Sequence, residues 1–185
     1  MSRDRTVAPV ASPWAGFFLD LDGMLDGAVE LHCLGGFVLA TLYGLPRPTA
    51  DVDYFAINPA DAAGTLERLA GRESTLARKH RVWVQHVTVA DYPDGYGDRL
   101  REIGVAGLRH LHLRGLEPND LVLSKLTRNH PVDLEDARFL IGRGLANASV
   151  LRERYQRELR PYLARQETHD LTLDLWLEYF PPGSR

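Results

Sequence analysis

Asp51 and Asp53 stand one residue apart, downstream of a double glycine, Gly35-Gly36. In an extended strand successive side chains alternate faces, so Asp51 and Asp53 project to one side while Val52 and Tyr54 take the other. Two carboxylates held side by side repel each other, and a hard divalent cation such as Mg2+ removes that penalty. The residues that follow, Tyr54-Phe55-Ala56-Ile57, mark a buried strand, where unpaired carboxylates are costly. Gly35-Gly36 leaves an apolar strand and enters a short helical run. A turn without side chains lets backbone N–H groups approach a phosphate, and the helix points its positive end to the same place. The order is that of a phosphate-and-metal site. Arg47 and Thr49 lie in the loop leading to the two acids, where a guanidinium and a hydroxyl either reach nucleotide phosphates or are simply solvated.

A second block follows downstream. Asp120-Leu121-Val122-Leu123-Ser124-Lys125-Leu126 is followed by Arg128 and then by Asp133-Leu134-Glu135-Asp136. Lys125 stands near the apolar face of a helix, with Arg128 one turn on. This cationic pair either neutralises a triphosphate or pairs with Asp133 and Asp136 across the turn at His130-Pro131.

Taken together, the two blocks resemble the nucleotidyltransferase superfamily, in particular the AbiEii-like branch of small bacterial proteins found in toxin-antitoxin and phage-abortive systems. The resemblance covers most of residues 29 to 142. It implies transfer of a nucleotidyl group from a nucleoside triphosphate to a hydroxyl on RNA or protein. Gly35 and Gly36 would then hold the triphosphate tail with help from Arg47, Thr49 and Arg128. Asp51 and Asp53 would hold Mg2+, and Lys125 would meet the charge developing on the leaving pyrophosphate. A cognate toxin or antitoxin is the implied partner. The chain departs from the pattern at one place. Many nucleotidyltransferases carry a third carboxylate on a later strand, yet the candidate strand here, Val82 to Ala90, holds no acid. Asp91 lies just beyond its expected end. Either Asp91 or His86 completes the site, or two acids and Lys125 suffice, or catalysis has been lost and nucleotide binding kept. The last case describes a catalytically silent nucleotide-binding or toxin-neutralising protein.

The elements that must position these residues follow from periodicity. Pro13 opens an amphipathic run with Phe17, Phe18, Leu21, Met24 and Leu25 at helical spacing. Strands are expected over Val29–Leu34, Asp51–Ile57, Arg81–Ala90 and Leu108–Leu113, and helices over Phe37–Tyr43 and from Asn58 to Ala70. Pro118 and Pro131 start two helices that reach about Asn129 and Gly142, and two more span Val150–Leu163 and His169–Phe180. This is an α/β chain with a small mixed sheet of about four strands and packed helices. Its expected parts are a flexible arm (1–12), a core (13–115) and a helical C-terminal part (116–185).

With 185 residues, 44% hydrophobic and 25% charged, the chain is long enough for one well-buried core. A net charge of -3 argues against a broadly basic nucleic-acid surface. The single cysteine, Cys33, has no internal partner and lies in an apolar strand, and no stretch spans a bilayer, so a cytoplasmic location is expected. Two further patterns invite chemistry. Phe18-Leu19-Asp20-Leu21-Asp22-Gly23 imitates the start of haloacid-dehalogenase phosphatases, but its helical periodicity speaks against a nucleophile-bearing strand. His110 and His112 have metal-compatible spacing without an evident third ligand.

Overall fold

The computed structural model describes Val10 and residues 12–179, so most of the arm expected over 1–12 lies outside the described residues, as does Phe180. The chain forms two compact units. The first takes its described residues from Met1–Thr88 and Arg101–Gly115, the second from Val89–Leu100 and Leu116–Arg185.

The first unit carries α1 (Trp14–Asp22), β1 (Val29–Cys33), α2 (Gly35–Tyr43), β2 (Asp51–Asn58), α3 (Ala63–Ala70), α4 (Thr75–His80), β3 (Trp83–His86), β4 (Arg101–Glu102) and β5 (Leu111–Gly115). Among the described residues the sheet has five strands in the order β3-β2-β1-β5-β4. β1 runs antiparallel to β2 and parallel to β5, and β2 runs parallel to β3. The sheet is therefore mixed, as expected, with β4 added at one edge.

Alternation decides which side is dry. Val29, Leu31 and Cys33 of β1, Val52 and Tyr54 of β2, and Leu111 and Leu113 of β5 are buried. They share their side with the apolar residues of the helices, where Phe18 and Phe37 meet at 5.5 Å between ring centres. On the other side Glu30 and His32 register with His112 and Arg114. A bulge interrupts β2 where its pairing with β1 jumps from Ala56 to Tyr54. The extra residue keeps Asp51 and Asp53 on the polar side although Tyr54 and Ile57 both point inward.

The phosphatase-like aspartates are structural. Asp22 is buried, and its carboxylate accepts hydrogen bonds from the backbone N–H groups of Arg109 (3.0 Å), His110 (2.7 Å) and Leu111 (2.7 Å). Asp20 instead takes Lys79 and His80, each at 2.6 Å. Burial pushes the Asp22 carboxyl up, but the three N–H donors outweigh it and hold the group below its ordinary value. Its contribution to stability is complete above the unfolded-state value and is lost as the pH falls through the lowered folded one. Asp22→Asn turns an amide donor toward those N–H groups and is expected to cost about 2–3 kcal/mol at neutral pH. Urea unfolding across pH checks this: the gap between wild type and variant narrows in acid, and an equal gap at all pH values would refute it.

The second unit carries α5 (Pro118–Leu126), α6 (Pro131–Gly142), α7 (Ala148–Arg154) and α8 (Gln166–Leu177). Glu117 caps α5 by accepting from the Asp120 N–H (2.9 Å), and Pro118 occupies its first turn. The helix expected over Val150–Leu163 does not run through. After α7 the chain widens into a π turn at Tyr155–Leu159 and tightens into a 3-10 turn at Arg160–Tyr162, because Pro161 has no N–H to give a regular helix. No helix among the described residues is long and apolar enough to cross a membrane.

Candidate active site

The Asp-x-Asp strand and the glycine turn meet. Gly35 adopts φ +77°, a left-handed conformation open to glycine at little cost, and a Cβ built there would lie 2.6 Å from Asp53 Oδ2. The missing side chain of Gly35 thus leaves room for the Asp53 carboxylate against the first turn of α2. Gly36 does the same for Thr49, whose Cβ would stand 3.4 Å from an added Cβ. The Thr49 hydroxyl in turn donates a short hydrogen bond to Asp51 Oδ1, which fixes that carboxylate. The backbone N–H of Leu34, just before the turn, donates to the Asp53 carbonyl at 3.1 Å and ties β1 to β2 at this point.

Gly35, Gly36, Thr49, Asp51 and Asp53 are therefore gathered at the end of one strand and the start of one helix. Both carboxylates are half-buried and face the polar side of the sheet. Arg47 lies half-buried in the same loop. Cys33 is buried beside this loop and inert, its thiol pushed far up by burial and then by the negative charge of Asp53.

The third strand is shorter than its sequence suggests. β3 ends at His86, and Val87 makes one last bond to the Tyr54 carbonyl (2.8 Å). At Tyr54 the bulge turns β2 away, so residues 87–90 lose their partner and leave the sheet. Asp91 is thus an exposed residue of the second unit, not the terminus of this strand. His86 stays in the strand and stacks on Tyr54, with ring centres 4.8 Å apart and planes 11° from parallel. The residue of β3 in register with Asp53 is Gln85, a neutral amide. The sequence of this strand holds no acid, and the pairing register shows which of its residues faces Asp53.

Lys125 and Arg128 belong to the second unit. The Lys125 amine is buried between Asp136 (2.7 Å) and Asp133 (3.3 Å), and Arg128 also binds Asp133 (Nε to Oδ2, 2.8 Å). Burial pushes the Asp133 carboxyl up, but Arg128, Lys125 and the His130 N–H bring it below its ordinary value. Asp120, from the same motif, receives Arg99 (2.8 Å) and Arg154 (2.9 Å). Its burial is complete, and desolvation outweighs the two guanidinium groups, so its carboxyl lies above the ordinary range. The sequence held no spacing signal for Arg99 or Arg154, which reach Asp120 from a distant 3-10 turn and from the end of α7.

Compared with known families, residues 23–179 match the one described as a nucleotidyltransferase of unknown function, DUF6036. The chain belongs to this family. No curated protein and no solved structure is significantly similar to it. The match to this nucleotidyltransferase family spans both blocks, and it covers the glycine turn, the paired acids and the lysine helix alike.

The first consequence concerns Gly35. Gly35→Ala in this nucleotidyltransferase places a methyl against Asp53 and forces an alanine into a left-handed backbone, at a cost of about 1–3 kcal/mol. Displacing Asp53 is also expected to lower triphosphate affinity by on the order of 10-fold or more. Thermal unfolding and nucleotide titration check both effects, and an alanine variant indistinguishable from wild type would show that the close approach at Gly35 is unimportant.

Proposed function

We propose that the protein transfers a nucleotidyl group from a nucleoside triphosphate to a hydroxyl acceptor at the Gly35–Asp53 site, with Mg2+. The observation that carries this reading is the packing of the Asp53 carboxylate into the space that Gly35 leaves open, which brings the phosphate-binding turn and the paired acids together. The donor set fits a hard cation, since Asp51 and Asp53 offer carboxylate oxygens from one side of one strand.

The chain's own residues then have distinct tasks. The backbone N–H groups at the start of α2 bind the outer phosphates. Asp51, fixed by Thr49, and Asp53, lodged against Gly35, would hold Mg2+, which supplies charge neutralisation and alignment of the phosphates. The acceptor hydroxyl oxygen bonds to the α-phosphorus and gives its proton to water, while the bond from that phosphorus to the oxygen bridging to the β-phosphate breaks and pyrophosphate leaves with that electron pair. Because Gln85 is a neutral amide, it orients the acceptor but takes no proton. The sequence pattern of Lys125, Arg128, Asp133 and Asp136 resembles that of the AbiEii-like branch, and membership there would bring a cognate toxin-antitoxin partner.

The test uses triphosphates labelled separately at the α and γ positions. Label passing to an acceptor from the α position alone is the expected result. Binding without transfer of either label would favour the silent nucleotide-binding reading, for which the amide at Gln85 is the specific observation. Transfer from the γ position would show a kinase reaction and contradict the proposal.

A further inference from the structure

The two edges of the sheet are not alike. β4 closes one edge with Arg101 and Glu102, both charged and exposed, and a short charged edge resists pairing with another chain. β3 forms the other edge, and Trp83-Val84-Gln85-His86 carries no Asp, Glu, Lys, Arg or proline. Its register with β2 runs without a bulge. Nothing in this strand opposes the addition of a further strand.

Backbone direction shows what the edge offers. Toward β2, the N–H groups of Trp83 and Val87 donate to the carbonyls of Ala50 (3.0 Å) and Tyr54 (2.8 Å). Alternate residues of a strand turn their N–H and C=O to opposite sides, so those of Val84 and His86 point to the open edge. All four residues of β3 line one cleft of about 360 Å³, together with Glu67 and Arg72 among others. Side chains that alternate between two faces share a cleft only when it runs along the strand edge. Space beside the outward backbone groups is therefore open. Within the wall, the Trp83 indole N–H is buried and has no hydrogen-bond partner among the described residues.

This edge is its own complement. A second copy, antiparallel and related by a two-fold axis through Gln85, sets Val84 of each chain opposite His86 of the other. The outward N–H groups of both chains then all find carbonyls. At the axis Gln85 meets Gln85, and an amide both donates and accepts. No like charges face each other. Trp83 comes diagonal to Gln85 of the second copy, within reach of a long side chain for its orphan N–H.

We infer that the protein forms a two-fold dimer through antiparallel pairing of β3 with β3 of a second copy, which joins the two sheets into one. This inference is independent of the nucleotidyl-transfer reading. Gln85 shares its side of the sheet with Asp53, so each copy borders the side on which the other's paired acids lie. A seam of one short strand is small, and the dimer is expected to form in the micromolar range.

Sedimentation velocity on the full chain, from low micromolar to several hundred micromolar, reads the assembly directly. Wild type is expected to pass from monomer to dimer across this range. Gln85→Lys sets two ammonium groups against each other at the axis and weakens the dimer by about 10-fold or more. Gln85 is exposed, so this variant keeps its thermal midpoint. His86→Pro removes an outward N–H that β2 does not use and has the same effect on assembly. Gln85→Cys tests the register, because opposite residues of a non-hydrogen-bonded pair stand about 4.5 Å apart between Cα atoms, close enough for a disulfide. The native Cys33 is buried and does not compete. Under mild oxidation Gln85→Cys is expected to give a covalent dimer, whereas Arg101→Cys at the opposite edge stays monomeric. The inference is overturned if wild type remains a monomer at the highest concentration, which would leave the edge to an extended segment of another protein. It is equally overturned if Gln85→Lys dimerises as wild type does, or if the two cysteine variants cross-link alike.

Discussion

Asp53→Asn is expected to lower nucleotidyl transfer by on the order of 1,000-fold while the protein stays folded. An amide keeps the shape of the carboxylate, so it still fills the space at Gly35, but it carries no charge for a hard cation. The same change relieves repulsion from Asp51, two residues away on the same side of β2. Triphosphate binding should therefore lose its Mg2+ dependence, with the thermal midpoint falling by no more than a few degrees. Calorimetric titrations with and without Mg2+ separate these effects. A variant that unfolds at room temperature would show that Asp53 is a structural acid, and one that keeps its Mg2+ dependence would place the metal elsewhere.

Lys125→Ala has a large effect of a different kind. The Lys125 amine is buried against two carboxylates that are themselves buried, Asp133 at 0% and Asp136 at 1% exposure. Removing it leaves uncompensated negative charge in the interior, and such losses cost about 3–5 kcal/mol. Arg128 still serves Asp133 in the variant, which places the loss toward the lower end of that range. Urea unfolding monitored by circular dichroism measures it. The double variant Lys125→Met with Asp136→Leu removes charge of both signs and is expected to recover much of the stability. A Lys125→Ala protein as stable as wild type would mean that the ion cluster contributes nothing to folding.

Much of this arrangement is legible in the sequence because it depends on local periodicity. Alternation alone places Asp51 and Asp53 on one side of β2, and proline starts α5 and α6 where the helical pattern begins. What escaped depends on distant partners. β3 looks like a strand through Ala90 because Val87, Thr88 and Val89 favour extended backbone, yet a strand lasts only as long as its neighbour, and β2 bends away at the bulge. β4, with two residues, has too little sequence to show alternation, and it pairs with residues 114 and 115 of β5. α4 was missed because Thr75–His80 is short and mostly polar, although Ser74 caps it through the Ala77 N–H (3.0 Å). The close fit of Gly35 to Asp53 could be expected in kind from the motif, but its placement depends on the β1–β2 register.

The most direct test is a crystal structure of the protein soaked with a non-hydrolysable nucleoside triphosphate and Mg2+. The account predicts an ion bonded to both the Asp51 and Asp53 carboxylates and to phosphate oxygens, with the triphosphate tail on the backbone N–H groups of Gly35 and Gly36. A nucleotide bound away from the glycine turn, or an ion that touches neither aspartate, would contradict it.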